Sequence, residues 1–239
     1  MPNARAIFVT GTDTNVGKTV VTALLLAHTQ AAGINVRALK PFSTGSAADE
    51  TLLGSLQKAS LQVNFFHFAD PVAPFSAARQ AGTKITLNDV LQKIEDHRAS
   101  CELLFIEGAG GLLTPLGEKF TAADLITELN AEVIIAAANR LGVLNHTSLT
   151  VEALHHRTAA ALRVALVEQG PTADASRATN PEVLRELLPT VPMIRIPFFK
   201  NYQPTADFHR EKAKSLQADL ARILDKKNPP DTEAEGTFP

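Results

Sequence analysis

Nine residues near the start of the chain, Gly11-Thr12-Asp13-Thr14-Asn15-Val16-Gly17-Lys18-Thr19, restrict its folding options more than any other stretch. They follow a short apolar run, Ala6 to Thr10, that is β-branched at its centre. They open a segment in which Val20, Val21, Leu24, Leu25 and Ala32 share one helical face, with Gly33 as the stop. Glycines let such a loop turn its N–H groups inward at an anion, and the new helix adds its positive end. Lys18 then reaches terminal phosphates, and the Thr19 hydroxyl is placed for a divalent metal. Strand, glycine loop and helix together predict a phosphate-binding βα turn. Gly11 lies one residue too far from Gly17 for the general G-x-x-x-x-G-K-[ST] spacing, with Thr12 where the first glycine belongs.

The rest of the chain repeats this alternation. Strands are predicted at Asn35 to Lys40, Glu102 to Ile106, Glu132 to Ala138, Arg163 to Glu168 and Met193 to Ile196. Helices are predicted over Thr83 to Arg98 (capped by Thr86), Thr147 to Thr158, Pro181 to Leu188 and Thr205 to Leu224. His146 is read as packing at a helix start. The expected class is α/β: one domain over residues 1–225, of the P-loop type, with a mostly parallel sheet and helices on both faces. Residues 226–239 are polar and proline-bearing and are expected to be a disordered tail.

Composition removes other classes. A formal net charge of -2, 5% aromatics and no Trp argue against a nucleic-acid surface. No run approaches the ~18 apolar residues of a membrane span, and no signal-peptide order opens the chain, so a cytoplasmic location is expected. The one cysteine, Cys101, excludes an internal disulfide and has no nearby histidine to activate it.

Three further positions carry chemistry. Glu107 ends a hydrophobic strand and precedes Gly108-Ala109-Gly110-Gly111, so its carboxylate enters the crevice that open α/β sheets use for ligands. Lys40 ends the second strand before Pro41-Phe42-Ser43-Thr44-Gly45, on the same edge, and suits a reaction that gathers negative charge. Asp49 is a candidate metal ligand beside Glu107, although spacing alone does not separate it from Glu50.

The motifs GTDTNVGKT, KPFSTG, EGAGGLLTPL and RLGVLNH, in this order, resemble those of the dethiobiotin synthetases over residues 6–150, more weakly beyond. The resemblance implies a homodimeric, magnesium- and ATP-dependent ligase that carboxylates 7,8-diaminopelargonic acid with CO2 and closes a cyclic urea. It accounts for the long phosphate loop. It also implies roles for individual residues. Lys18, Lys40, Thr14 and Thr44 would be catalytic, and Thr19, Asp49 and Glu107 would hold Mg2+. Asn15, Val16, Gly17, Lys18, Thr19, Glu107, Glu168 and Pro197 would bind the nucleotide. Thr14, Lys40, Thr44, Gly110, Gly111, Leu144 and Asn145 would bind the substrate, with Leu144 and Asn145 serving the other subunit's site. Glu168 stands where the family's adenine-reading Asn is usual, and a carboxylate cannot donate to a ring nitrogen. Asn15 and Phe75 also depart from common family residues, and the Gly45-to-Asp49 loop is short.

Two alternatives remain at this level. An amide-forming P-loop ligase of the cobyrinic acid type would need a glutaminase domain, for which the chain is short. A partition-type ATP switch would carry a second lysine early in the loop, and Lys18 has none before it there.

Overall fold

The computed structural model describes residues 4–170 and 174–225. The tail expected at 226–239 lies outside them. The elements run β1 (Arg5–Gly11), α1 (Lys18–Ala31), β2 (Val36–Leu39), β3 (Phe42–Thr44), α2 (Ala48–Ser55), β4 (Phe66–Phe68), α3 (Pro74–Gln80), α4 (Leu87–Arg98) and β5 (Leu103–Glu107). They continue β6 (Pro115–Gly117), β7 (Phe120–Thr121), α5 (Ala122–Glu128), β8 (Glu132–Asn139), α6 (Val143–His155), β9 (Leu162–Glu168), α7 (Ser176–Leu187), β10 (Met193–Ile196), α8 (Ala206–Ser215) and α9 (Gln217–Leu224).

Six strands form one parallel sheet in the order β10-β9-β8-β1-β5-β2. Successive strand side chains point to opposite faces, and here both sets are apolar. Ala6, Phe8, Val133 and Ile135 enter one core with α4, α5, α6 and α7, whereas Ile7, Val9, Ile134 and Ala136 enter the other with α1, α2, α8 and α9. A strand buried on both faces needs helices on both, which is why this chain alternates the two. The small pairs β3–β4 and β6–β7 were not predicted, because strands this short carry no usable period.

Three helix boundaries differ from expectation. α6 begins at Val143, four residues before the predicted Thr147, because Gly142 takes the left-handed conformation (φ 93°) that starts the helix there. His146 is therefore an exposed first-turn residue rather than a packed helix start. The predicted Thr205–Leu224 helix is two helices, separated at Leu216 where ψ rises to 15°. α7 starts at Ser176 and contains Pro181, which cannot donate to the carbonyl of Arg177. The buried Asn139 side chain fills that gap, donating to the Arg177 carbonyl at 3.0 Å. The predicted Thr86 cap forms with Asp89 as a reciprocal box at the start of α4.

Candidate active site

All six sheet strands run in one direction, so the loops after their C-terminal ends open on one edge. A cleft of about 590 Å3 lies there. Its walls bring together Thr14, Asn15, Gly17, Lys18 and Thr19 after β1, Lys40, Thr44 and Asp49 around β2 and β3, and Gly110 after β5. Glu168 and Pro197, after β9 and β10, also line it.

The phosphate loop has the backbone that its glycines were expected to permit. Gly17 sits at φ 97°, and a Cβ there would lie 2.9 Å from Val167 Cγ1. Asn15 is left-handed at φ 58°, and its carbonyl accepts from the Gln169 side chain at 3.1 Å. Val16 is buried, in the core beside Ile7 and Val9. Lys18 Nζ donates to the Asp13 carbonyl at 2.9 Å. Burial lowers the Lys18 pKa to about 8, with Glu107 pulling it up and the Lys40 cation pushing it down.

Glu107 is the centre of the site. It is fully buried, and its Oε1 accepts from the Thr19 hydroxyl and from Lys40 Nζ, both at 2.6 Å. Its Oε2 is buried without a hydrogen-bond partner among the described residues. Lys40 Nζ also lies 3.1 Å from Asp49 Oδ2. Burial works against the Lys40 cation, but Glu107 and Asp49 beside it hold its pKa above the ordinary lysine value. Adjacent Glu50 turns away to His67 Nδ1 at 3.1 Å. The geometry thus separates the two acids: Asp49, not Glu50, faces Glu107's partner.

The donor set fits a hard divalent cation. A hydroxyl and two carboxylates offer oxygen only, and one buried carboxylate oxygen is orphaned. Among the described residues no three His, Cys, Asp or Glu converge as a ready-made cage. A hydroxyl with two carboxylates is the kind of oxygen donor set that Mg2+ takes, alongside phosphate oxygens and water.

The Gly110–Gly111 turn folds against the phosphate loop. Gly110 is left-handed (φ 68°), and a Cβ there would meet Thr114 Oγ1 at 2.4 Å. Gly111 approaches the carbonyls of Gly11 and Thr12, and its N–H donates to Thr114 Oγ1 at 2.9 Å. Beyond this turn lies a second cavity of about 410 Å3, walled by Leu112, Leu113, Leu149 and Ala153 among others. Thr14 borders both cavities. Leu144 and Asn145 lie in the first turn of α6 and line neither cavity in this chain.

Glu168 lines the cleft, but its carboxylate is occupied. Oε1 accepts from Asn139 at 2.8 Å and Arg195 at 2.7 Å, and Oε2 accepts from Arg177 at 3.1 Å. Burial works against its charge, yet these hydrogen bonds hold its pKa below the usual carboxylate range. Buried Asn180 completes the network by donating to Asn139 Oδ1 at 2.9 Å. None of Asn139, Arg177, Asn180 or Arg195 was singled out from sequence. A signal was present, since an asparagine at a strand end and a proline inside a helical stretch both ask for polar partners. Val167, Gln169, Phe198, Phe199 and Tyr202 are further cleft residues that sequence reasoning missed. Cys101 is half-buried with a thiol pKa raised by burial, in keeping with an inert residue.

Residues 5–205 match a family model described as an AAA domain. The chain is 35% identical to the ATP-dependent dethiobiotin synthetase of Anaeromyxobacter sp. (strain Fw109-5), over 87% of this chain and 96% of that protein. It is 35% identical to the ATP-dependent dethiobiotin synthetase of Bacillus subtilis (strain 168), over 77% of this chain and 83% of that protein. Among solved structures, the septum site-determining protein MinD of Pyrococcus horikoshii matches with TM-score 0.57 over 93% of this chain and 99% of that one. At 19% identity that likeness speaks for the fold alone. With relatives this similar over nearly their whole length, the chain belongs to the ATP-dependent dethiobiotin synthetase family.

Proposed function

We propose that this cleft carries out ATP-dependent ring closure on 7,8-diaminopelargonic acid, giving dethiobiotin, ADP and phosphate. The observation that carries this reading is the pairing of two buried lysines, Lys18 and Lys40, around Glu107 beside a phosphate loop. A site that only bound ATP would have little need of the second cation. A reaction that brings a carbamate up to a triphosphate gathers negative charge, which preorganised cations stabilise.

One amine of the substrate adds to CO2 and loses a proton, leaving a carbamate. A carbamate oxygen attacks the γ-phosphorus, and the bond to ADP breaks. The second amine attacks the carbamoyl carbon, expels phosphate and closes the urea. Lys40 and Lys18 neutralise the carbamate and the phosphoryl group in transfer. Thr14 and Thr44 donate hydrogen bonds to them from the loops on either side. Thr14's position bordering both cavities supports this, since the carbamate must lie between the triphosphate and the diamine. Thr19, Glu107 and Asp49 would hold Mg2+, which would supply positive charge to offset the charge of the nucleotide phosphates. Backbone N–H groups of Asn15 to Thr19 cradle the phosphates, and Glu168 and Pro197 wall the base end. The second cavity, of mixed lining with Leu112, Leu113, Leu149 and Ala153 beside Asp13, Thr114 and Thr150, would take the diamine with its leucines against the aliphatic chain, Gly110 and Gly111 allowing close approach.

Phosphate release is the measurement that tests the reading. With MgATP, bicarbonate and the diamine present, release is expected, and omission of either bicarbonate or the diamine should reduce it to background. Release indifferent to the diamine would remove the synthetase reading and leave an ATPase.

A homodimer belongs to the same proposal. Leu141 is 81% exposed at the turn into α6, and Leu113 and Leu149 are exposed close to the second cavity. These leucines support a self-association face that would present Leu144 and Asn145 to the partner's substrate. Leu141→Asp is expected to shift the protein from dimer to monomer in sedimentation and to raise KM for the diamine. A variant that remains dimeric would refute this face. No helix among the described residues is long and apolar enough to cross a membrane. A free thiol at Cys101 fits work in the reducing cytoplasm.

A further inference from the structure

The two cavities make opposite demands on charge. The cleft gathers two cations, Lys18 and Lys40, where a phosphoryl group and a carbamate would meet. Its carboxylates are committed there: Glu107 Oε1 to Thr19 and Lys40, and Asp49 to Lys40. A diamine brings the other sign, because an alkyl amine in water at neutral pH is protonated, as lysine is. The amine that is not carboxylated therefore needs an acceptor, and a pair of lysines offers none.

Asp13 is the one ionisable side chain among the described residues that line the second cavity. Lys18 Nζ holds its backbone from the cleft side, through the Asp13 carbonyl at 2.9 Å. Its side chain is 55% exposed, and Oδ1 accepts from the Thr14 N–H at 2.7 Å, which fixes the carboxylate to the loop. Among the described residues Oδ2 meets only Arg140 Nη2, at 3.5 Å, beyond the usual hydrogen-bond range. The hydroxyls in the same lining are already engaged: Thr114 Oγ1 accepts from the Gly111 N–H at 2.9 Å, and Thr150 Oγ1 donates to the His146 carbonyl at 2.8 Å. Thr14, the next residue, borders both cavities. Neighbouring residues place their Cα atoms about 3.8 Å apart, and amines on adjacent carbons are spaced on the same scale. A carbamate against Thr14 thus leaves the adjacent amine within reach of Asp13.

We propose that Asp13 is a substrate-binding residue whose Oδ2 accepts a hydrogen bond from the amine that is not carboxylated and holds it facing the carbamoyl carbon. This rests on the reading that the second cavity takes the diamine. The amine attacks as the free base. Its lone pair forms the C–N bond, and the bond from carbon to the phosphate oxygen breaks and leaves its electron pair on phosphate. The proton that the nitrogen sheds passes to Oδ2 and on to water.

Asp13→Asn keeps an acceptor for the Thr14 N–H and removes the charge. Dissociation constants are measured on parent and variant for the diamine and for 7-aminopelargonic and 8-aminopelargonic acid, which each lack one amine. MgADP is present throughout, and its own affinity is measured on both proteins. The parent is expected to bind the diamine about tenfold more tightly than at least one monoamine, and the variant to lose that preference while binding MgADP as the parent does. A parent without the preference, or a variant that keeps it, overturns the proposal. So does a loss of MgADP affinity in step with that of the diamine, which would make Asp13 a brace of the phosphate loop. A parent that binds neither the diamine nor the monoamines is a different failure, that of the synthetase reading, and shows before any variant is compared.

Discussion

Lys40→Ala is expected to lower diamine-dependent phosphate release by about 10³-fold, the cost of removing one preorganised charge from a transition state. Lys40 Nζ sits 2.6 Å from Glu107 and 3.1 Å from Asp49, so alanine removes the cation and leaves Glu107 bonded to Thr19 alone. The same substitution should alter Lys18. In the parent protein, burial brings the Lys18 pKa to about 8, and the Lys40 charge is one of the causes pressing it down. Its folded value is thus below its unfolded one. Between pH 8 and about 10.5 the unfolded chain holds the Lys18 proton and the folded chain does not, so this group's contribution to stability rises with pH across that window. Nucleotide binding runs the other way. A triphosphate wants the ammonium, so ATP affinity should fall about tenfold per pH unit above 8. Without Lys40 the falling limb should move to higher pH. Lys40 has the opposite sign: its folded pKa is raised, and its contribution is lost only as pH passes above the ordinary lysine value. ATP titrations at several pH values, beside turnover at neutral pH, check both parts. Turnover within threefold of the parent would rule out Lys40 as a catalytic cation.

The parts of this site that could be read from sequence are those that a parallel sheet gathers automatically. Lys40, Glu107 and the phosphate loop each follow a recognisable strand, and parallel strands deliver their C-terminal ends to one edge whatever the connections do. Two faces of apolar residues on β1 and β8 likewise announced helices on both sides. Asp49 and Glu50 could not be told apart, because their difference is one step of helix rotation at the start of α2, which points one at Lys40 and the other at His67. The network around Glu168 was hidden for another reason. Its members come from β8, β9, α7 and β10, and only the folded sheet brings them together. Seen singly, Glu168 looked available to a base; in the fold its oxygens already serve Asn139, Arg177 and Arg195. Tyr202 lies in an irregular connection with no period, where nothing in the local pattern marks a side chain that lines the cleft.

Glu107→Gln should separate metal binding from charge pairing, with a loss of about 10²- to 10³-fold in kcat/KM. The amide is nearly isosteric, and its oxygen can still accept from the Thr19 hydroxyl and Lys40. What changes is the other atom. Oε2 is buried and unpartnered, a position suited to a cation, and the variant puts an N–H donor there. Mg2+ should therefore be needed at much higher concentration for half-maximal release. The lysines respond in the sense opposite to Lys40→Ala. Glu107 is a cause raising the pKa of both Lys18 and Lys40, so its neutralisation should lower both and bring the pH limb for ATP binding below 8. Titrating Mg2+ and pH on this one variant distinguishes the two roles. A shifted pH limb with an unchanged Mg2+ requirement would make Glu107 a charge partner of the lysines and leave Asp49 and Thr19 to hold the metal. Movement of both is what a carboxylate with one oxygen committed to Lys40 and the other left open should produce.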